Sequence, residues 1–336
     1  MPVPTLAPGQ SATTTFTLTV PATALQGSYQ LIGTARAQAP GGRVTMQNSA
    51  SFQLSDCCTV TLQRVPGSTV EVKANFSNVL TATSETLTAR DVTLSLDVPS
   101  GLTATATTST TVASVPPGGT ASAVWAIAGP AANTPGAVQA TASYTVDGMT
   151  QTISSASGYL SLAAAYNNTG ISDNSNPSSA NIDGDGDSFS EQSLEAAGLS
   201  PGATVTEQGL SYTWPDVPAG QPDNVETTGQ TLLVNASGST LGFLGMGDFG
   251  EQSATATVTY TDGTTQPFTL TYPDWFTDSV AGTSDQLVAT GVVNGTSAGH
   301  QVGVYAAEVP LESGKTIAAI TLPNDSHVHV FATSIR

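Results

Sequence analysis

The amino-acid sequence predicts an all-β protein that is divided into several β-sandwich domains. Short runs alternate apolar and polar residues with a period of two, as in residues 13–20, and this spacing indicates half-buried strands. The 33 glycines and 20 prolines supply the frequent turns that short strands need. Charged residues make up only 10% of the chain, so Thr, Ser, Asn and Gln must cover its surface, which is common in secreted sandwich modules.

An internal repeat defines the first domains. Four features recur at an offset of 109 residues: Pro8-Gly9, Phe16, Pro21 and Gly27 correspond to Pro117-Gly118, Trp125, Pro130 and Gly136. We therefore assign residues 55–163 to a complete repeat and residues 1–54 to the C-terminal half of an earlier copy. Half a sandwich exposes a sheet face and edge strands, so we expect residues 1–54 to pack poorly unless they dock on the next repeat.

The complete repeat has the strand count of an immunoglobulin-like β-sandwich. Its alternating runs predict strands at 58–65, 69–75, 91–98, 102–107, 120–127, 137–146 and 149–154. Pro-Gly and Asp-Gly turns separate these runs. The region contains no cluster of His, Asp, Glu or Ser that could carry out chemistry, which favours a spacer.

Residues 164–336 form the last predicted domain. Strands are expected at 209–214, 230–235, 239–244, 254–260, 266–272, 287–293, 302–309, 315–322 and 327–335. A two-turn helix follows Ser188 or Ser190 as its N-cap and stops at Gly198. Nine strands with one small helix predict a jelly-roll sandwich.

Charge is concentrated in this last domain. Residues 1–160 hold five basic and six acidic residues, a net of −1, whereas residues 161–336 hold two basic and nineteen acidic residues, a net of −17. Nucleic acids and anionic membranes need a positive patch, so neither is an expected partner. An acidic domain can bind cations or neutral sugars. The alternative is that the negative charge only keeps the domain soluble. The sequence contains no run of some 20 apolar residues, so it predicts no transmembrane helix.

The N-terminus and the cysteines bear on the cellular compartment. The opening residues do not resemble a signal peptide, and we interpret the chain as an internal or C-terminal piece of a longer exported protein. The two cysteines, Cys57 and Cys58, are adjacent. They are either reduced, joined in a strained vicinal disulfide, or paired with another segment, and metal binding is less favoured because no histidine is near.

An acidic loop predicts a calcium site in the last domain. Asp183, Asp185 and Asp187 alternate with glycines, and Glu191 follows four residues later. Oxygen-rich loops of this kind suit calcium. The loop departs from the EF-hand pattern, so we expect a structural calcium rather than a sensor site. The alternative is a solvated turn whose carboxylates favour the N-terminal end of the following helix.

Aromatic and polar side chains predict a sugar-binding surface. A pyranose needs an aromatic face for its apolar side and polar groups for its hydroxyls. The candidate rings are Tyr212, Trp214, Trp275 and Phe276, and the candidate polar partners are Asp216, Asn224 and Asp274. Trp214 lies in an alternating strand, so burial in the core is the competing interpretation for it.

Signals for catalysis or a transition metal are weak. His327 and His329 alternate around Val328, so they share one strand face and could bind zinc or copper with a third ligand. The competing interpretation is two surface histidines on an edge strand. No nucleophile elbow, HExxH motif or phosphate loop is present, and a chance pair of carboxylates is expected among so many acidic residues.

Two stretches of the sequence resemble known secreted modules. The runs 6–11, 27–29 and 91–99 resemble the immunoglobulin-like module associated with novel putative carbohydrate-binding domains, found in secreted α-galactosidases. Residues 164–336 resemble jelly-roll C-terminal modules of secreted actinobacterial glycosidases, through the runs 210–215, 223–225, 229–230, 241–245, 260–264 and 274–275. The resemblance implies a spacer and an accessory module beside a catalytic glycosidase domain in the same parent chain.

These observations favour a non-catalytic accessory region of a secreted glycoside hydrolase that binds a polysaccharide or glycan. One alternative is a purely structural or adhesive array that packs on a catalytic domain. The other is a small glycosidase that uses an acidic carboxylate pair.

Overall fold

The computed structural model describes residues 5–7, 10–13, 27–39, 41–54, 58–76, 88–130, 134–146, 149–276 and 287–336. The first part contains strands β1 (Gly27–Ala39), β2 (Gly42–Leu54), β3 (Cys58–Val65), β4 (Thr69–Phe76), β5 (Ala89–Asp97), β6 (Thr103–Ala106), β7 (Thr111–Val115), β8 (Thr120–Ala128), β9 (Gln139–Val146) and β10 (Met149–Ser154). The prediction of an all-β chain of sandwich domains is confirmed. No helix in the described ranges is long and apolar enough to cross a membrane.

The second part contains thirteen further strands and one α-helix. They are β11 (Ile171–Ser172), β12 (Asp187–Ser190), α1 (Glu191–Ala196), β13 (Thr204–Glu207), β14 (Leu210–Thr213), β15 (Val225–Thr228), β16 (Thr231–Ser237), β17 (Thr240–Gly247), β18 (Gln252–Tyr260), β19 (Thr265–Tyr272), β20 (Leu287–Gly295), β21 (Gln301–Pro310), β22 (Thr316–Thr321) and β23 (Asn324–Ile335). Short 3₁₀ turns occur at Ala163–Ala165 and Pro177–Ser179.

Strands β1 and β2 form a long antiparallel hairpin. They pair from Gly27 opposite Leu54 to Ala39 opposite Gly42. Leu31 is 45% exposed and Met46 is 61% exposed, although they lie on the face that is apolar in sequence. The described side chains of the hairpin therefore include exposed apolar residues on this face, and the assignment of residues 1–54 to half a sandwich stays a prediction. Other residues on which the repeat was assigned, such as Phe16, lie outside the described residues.

Two four-stranded sheets form the immunoglobulin-like sandwich. Their strand orders are β3-β4-β8-β6 and β10-β9-β5-β7. Alternating residues from both sheets bury a core that includes Val72, Leu94, Trp125 and Tyr144. All seven strands expected from the sequence are present. Strand β7 was not expected, because Val115 is its only fully buried residue and the run lacks clear alternation.

The C-terminal sandwich is larger. A seven-stranded sheet with the order β11-β12-β20-β21-β17-β23-β15 packs on a four-stranded sheet with the order β16-β22-β18-β19, and β13 pairs with β14. The nine strands expected from the sequence are present. Strands β11, β12, β13 and β15 were missed; each has only two to four residues, and β12 is buried at all four positions, so it shows no alternation.

Helix α1 follows the sequence prediction. Ser190 is the N-cap, and its hydroxyl accepts a hydrogen bond from the Ser193 amide at 3.2 Å. Gly198 has φ of 93°, a conformation that favours glycine after a helix end.

The two sandwiches meet at a hydrogen-bonded junction. The amide of Tyr159 donates to Thr231 O, and the amide of Leu233 donates to Tyr159 O, each at 2.8 Å. The Arg64 guanidinium donates to Leu160 O at 2.8 Å. Leu160 and Leu233 both pack into the core of the first sandwich, so residues around 160 contribute to both domains. The boundaries at 54/55 and 163/164 stay predictions.

Cys58 begins strand β3 and is disulfide-bonded. The only other cysteine in the sequence, Cys57, lies outside the described residues. Of the three states considered for the cysteines, the reduced state therefore does not apply to Cys58.

Candidate functional site

A buried polar cluster lies at one end of the seven-stranded sheet. Its members are Asp223, Asn224, Asp248 and His329, all at most 3% exposed. Asp223 and Asn224 precede β15, Asp248 follows β17, and His329 lies in β23. Because β23 lies between β17 and β15, these side chains meet. Burial of four polar groups together is costly unless each finds a partner, so the cluster needs a physical explanation.

The hydrogen bonds of Asn224 fix its orientation. Its Nδ2 donates to Asn168 Oδ1 at 3.0 Å and to Asp223 Oδ1 at 2.8 Å. Gly170 allows this approach, because a Cβ at that position would lie 2.8 Å from Asn224 Nδ2. The Asn224 Oδ1 acceptor therefore faces His329 Nδ1, at 2.9 Å. His329 must carry its proton on Nδ1, which leaves a lone pair on Nε2.

The lone pair of His329 is unpartnered. Nε2 is buried without a hydrogen-bond partner and lies 3.9 Å from Asp248 Oδ2. Burial lowers the pKa of His329 to about 3, so the ring stays neutral. A carboxylate oxygen is also an acceptor. Two acceptors thus face each other in a buried position, an arrangement that favours a hydrogen-bond donor or a cation between them.

Asp248 connects the buried cluster to the surface. Its Oδ1 is 2.8 Å from Nδ1 of His327, whose side chain is about half exposed. Burial raises the pKa of Asp248 to about 6, and the hydrogen bond from His327 opposes this shift. Next in the chain is Phe249, which is 60% exposed and has its ring centroid 5.5 Å from that of His327.

Asp274, a predicted sugar ligand, holds this turn together. Its Oδ2 accepts from the Gly250 amide at 2.8 Å, and its Oδ1 accepts from the Phe276 amide at 3.0 Å. Both carboxylate oxygens are thus engaged by the backbone. The side chain positions the turn that carries Phe249.

The predicted sugar-stacking rings lie in the hydrophobic core, which corrects their assignment. Tyr212, Trp214 and Trp275 are 1–2% exposed. Trp214 stacks on Phe331 with centroids 5.0 Å apart, and Trp275 meets Phe189 edge-on at 4.9 Å. Rings enclosed on both faces cannot stack on a sugar. Tyr212 lies in β14, Trp214 directly follows β14 and Trp275 lies in the bend after β19, and each ring gains more hydrophobic free energy by filling the core of this wide sandwich than by facing solvent.

The remaining predicted sugar ligands are dispersed. Asn224 is buried and bonded as described above, so it cannot reach a surface ligand directly. Asp216 is exposed beside Gly202, in the turn after β14. Phe276 is partly buried and packs against Trp275. The structure thus does not bring the sequence-predicted residues together as one surface.

The acidic loop forms a compact turn. Asp183 Oδ1 accepts from the amides of Asp185 at 2.9 Å and Asp187 at 3.4 Å, while Asp187 turns inward and accepts from the Ser297 amide at 2.7 Å. Glu191 is the first residue of α1. No group of three His, Cys, Asp or Glu side chains is arranged to hold a metal ion within the part of the chain that the structure describes. Calcium binding by Asp183, Asp185, Asp187 and Glu191 stays a prediction.

The histidines correct a second expectation. His327 and His329 do share a strand face, but β23 is not an edge strand and His329 is buried. Both rings converge on Asp248, which sequence reasoning missed together with Phe249. The available signal was the run Gly247-Asp248-Phe249-Gly250, in which an aromatic residue stands in a glycine-flanked turn after a strand.

Fold and site together define a β-sandwich protein with an immunoglobulin-like module followed by a larger sandwich that holds a polar cluster. The family model of the AziU2-like β-sandwich domain matches residues 155–336, more than half of the chain, and the chain belongs to this family. The family model of the NPCBM-associated, NEW3 domain of alpha-galactosidase matches residues 64–147, which confirms the resemblance found in the first module. Comparison with curated proteins gives no match.

Proposed function

We propose that this chain is a non-catalytic accessory region of a secreted glycoside hydrolase, in which immunoglobulin-like modules act as spacers and the C-terminal sandwich binds carbohydrate. The observation that carries the proposal is the match of residues 64–147 to a domain of α-galactosidase, directly before an intact β-sandwich. A catalytic glycosidase domain in the same parent chain is the expected partner.

The first sandwich supports the spacer role. Its core consists of Val, Ala, Leu and a few aromatic side chains, and no charged side chain is buried among the described residues 58–154. Catalytic sites need polar groups in shaped, partly desolvated positions. The hydrogen-bonded junction at Tyr159 and Leu233 suits a spacer that holds the next domain in a defined orientation.

A disulfide bond at Cys58 supports secretion. Cys58 is disulfide-bonded, and disulfides persist in oxidising environments such as the extracellular space. The low content of charged residues agrees with this compartment.

A second candidate is a small glycosidase that uses Asp248. Burial raises the pKa of Asp248 to about 6, and Asp183 is near enough for its charge to contribute. Burial also raises the pKa of Asp183. A carboxyl group with a raised pKa beside a second carboxylate is the feature that a general acid requires. The third candidate, a structural array, draws support from the burial of Trp214 and Trp275.

Affinity electrophoresis of the full chain distinguishes these candidates. The gels contain galactomannan, arabinogalactan, xylan or mixed-linkage β-glucan, and each polysaccharide is also assayed for release of reducing ends. We expect retardation by at least one polysaccharide without hydrolysis. Hydrolysis that is lost in Asp248→Asn favours the glycosidase, whereas neither retardation nor hydrolysis favours the structural array.

A further inference from the structure

Phe249 is an exposed aromatic residue in an otherwise well-buried aromatic set. Among the Phe, Tyr and Trp side chains that the structure describes, Phe249 alone is largely exposed. An exposed phenyl ring loses hydrophobic free energy that a core position would supply. The exposed ring therefore offers an apolar surface on which a ligand can pack.

The backbone at Phe249 is strained. Its φ is 54°, in the left-handed region that disfavours a bulky residue, and such a conformation costs about 1 kcal/mol or more. The surrounding turn maintains this conformation. Asp274 accepts from the Gly250 amide, and Gln252 Nε2 donates to Asp248 O at 2.7 Å. The fold thus holds an exposed ring in an unfavourable conformation, which is typical of functional positions.

Hydrogen-bonding groups stand beside the ring. His327 makes an edge contact with Phe249, and its Nδ1 is engaged by Asp248. Its Nε2 is therefore the ring nitrogen that a ligand hydroxyl can bond. One apolar face next to polar groups is the combination that a pyranose requires.

The buried acceptor pair lies beneath this surface. An oxygen donor about 2.8 Å from both His329 Nε2 and Asp248 Oδ2 would subtend an angle of about 90° across their 3.9 Å separation, about 15° narrower than the angle between the two O–H bonds of water and within the bend that a hydrogen bond tolerates. A zinc ion about 2.1 Å from both atoms would subtend about 136°, which departs from tetrahedral geometry. The pair therefore suits a donating water, which in turn can accept a hydrogen bond from a ligand hydroxyl.

We propose that Phe249, His327 and Asp248 form the carbohydrate-binding surface of the C-terminal sandwich. A pyranose stacks its apolar face on Phe249 and hydrogen-bonds through its hydroxyls to His327 directly and to Asp248 through water held by His329. This inference rests on the proposed function and replaces the buried rings Trp214 and Trp275 as the stacking surface.

Variants of Phe249 in the full chain test the surface with galactomannan as the probe, followed by the other polysaccharides of the panel. Phe249→Gly removes the ring and relieves the backbone strain, so we expect binding about tenfold weaker with an unchanged or raised melting temperature. Phe249→Tyr keeps the ring and should bind within about twofold of the wild type. The matched control is Val292→Ala, which removes an exposed apolar side chain elsewhere on the same sandwich.

Histidine-detected NMR supplies a second measurement, because the chain has three histidines. We expect the probe to shift the ring signals of His327 and His329 and leave those of His300 in place. Retardation of the wild type that persists in Phe249→Gly overturns this inference and leaves carbohydrate binding intact. Absence of retardation of the wild type by every polysaccharide overturns both proposals.

Discussion

The two sandwiches differ in what they bury. The immunoglobulin-like sandwich encloses small apolar side chains, with Trp125 and Tyr144 among its few large rings. The C-terminal sandwich encloses many more rings and, at one end of its large sheet, Asp223, Asp248 and His329. Both have the same architecture of packed sheets, so architecture alone does not assign a role to either of them. Among the described residues, the buried polar cluster is the feature that distinguishes the second sandwich from the first.

The difference also shows how a site is supported. In the C-terminal sandwich the polar side chains lie behind the surface turn 247–250 and hold it through Asp248 and Asp274. A rigid sandwich can keep a strained, exposed residue in place because its core supplies the compensating free energy. In the described part of the first sandwich, the positive-φ residues Ser68 and Asp91 carry small polar side chains that tolerate this conformation.

The largest expected effect concerns the two cores. Trp125→Ala should lower the stability of the first sandwich by about 3–5 kcal/mol, and Trp214→Ala should lower that of the second by a similar amount, because each removes a large buried ring. Differential scanning calorimetry should show that each variant shifts a different transition. If either variant shifts both transitions equally, the sandwiches unfold as one unit and the comparison between them fails.

The second-largest expected effect is the change in unfolding free energy when the buried carboxyl group of Asp223 is replaced. Its oxygens accept from the amides of Gly170 at 3.0 Å and Ile171 at 2.9 Å, so Asp223→Asn should cost about 1–3 kcal/mol at pH 5 through a lost hydrogen bond. Burial raises the pKa of Asp223 to about 7, so the folded state retains a proton that the unfolded state releases above about pH 4. The wild type therefore loses this contribution as the pH rises from about 4 to 7.

Urea unfolding from pH 5 to pH 8 measures the pH dependence of that difference. The stability of the wild type relative to Asp223→Asn should fall by about 2–3 kcal/mol over this range, because the variant lacks the titrating group. Asp216→Asn, which changes an exposed carboxylate, should differ from the wild type by less than about 0.5 kcal/mol at every pH. A constant difference for Asp223→Asn would show that its carboxyl group does not titrate in this range.

The smallest expected effect concerns calcium. If Asp183, Asp185, Asp187 and Glu191 bind calcium, an ion concentration of ten times Kd adds about 1.4 kcal/mol to the stability of the C-terminal sandwich. The second calorimetric transition should rise with calcium, and the double variant Asp183→Ala and Asp185→Ala should abolish the rise. Identical melting with calcium and with chelator contradicts the prediction and leaves the loop as a hydrogen-bonded turn.

The sequence predicted secondary structure best where the alternation of apolar and polar residues continues over many positions. Strands of eight or more residues, such as β8 and β18, show their period, and the Ser190 cap and Gly198 mark the ends of α1. It found the four-residue strands β6 and β14 but missed β11, β12, β13 and β15, and it did not decide the burial of Trp214 and Trp275. Alternation shows that a ring lies on one face of a strand, but only the opposing sheet decides whether that face is covered.

The sequence by itself determined the all-β class and the acidic character of the last part of the chain, because periodicity, turn residues and charge are local properties of the chain. Tertiary structure alone decided which polar side chains meet. Asn224, Asp248 and His329 are far apart in sequence and converge because β23 lies between β15 and β17. Strand order depends on packing of the whole sandwich, and so does the site that it creates.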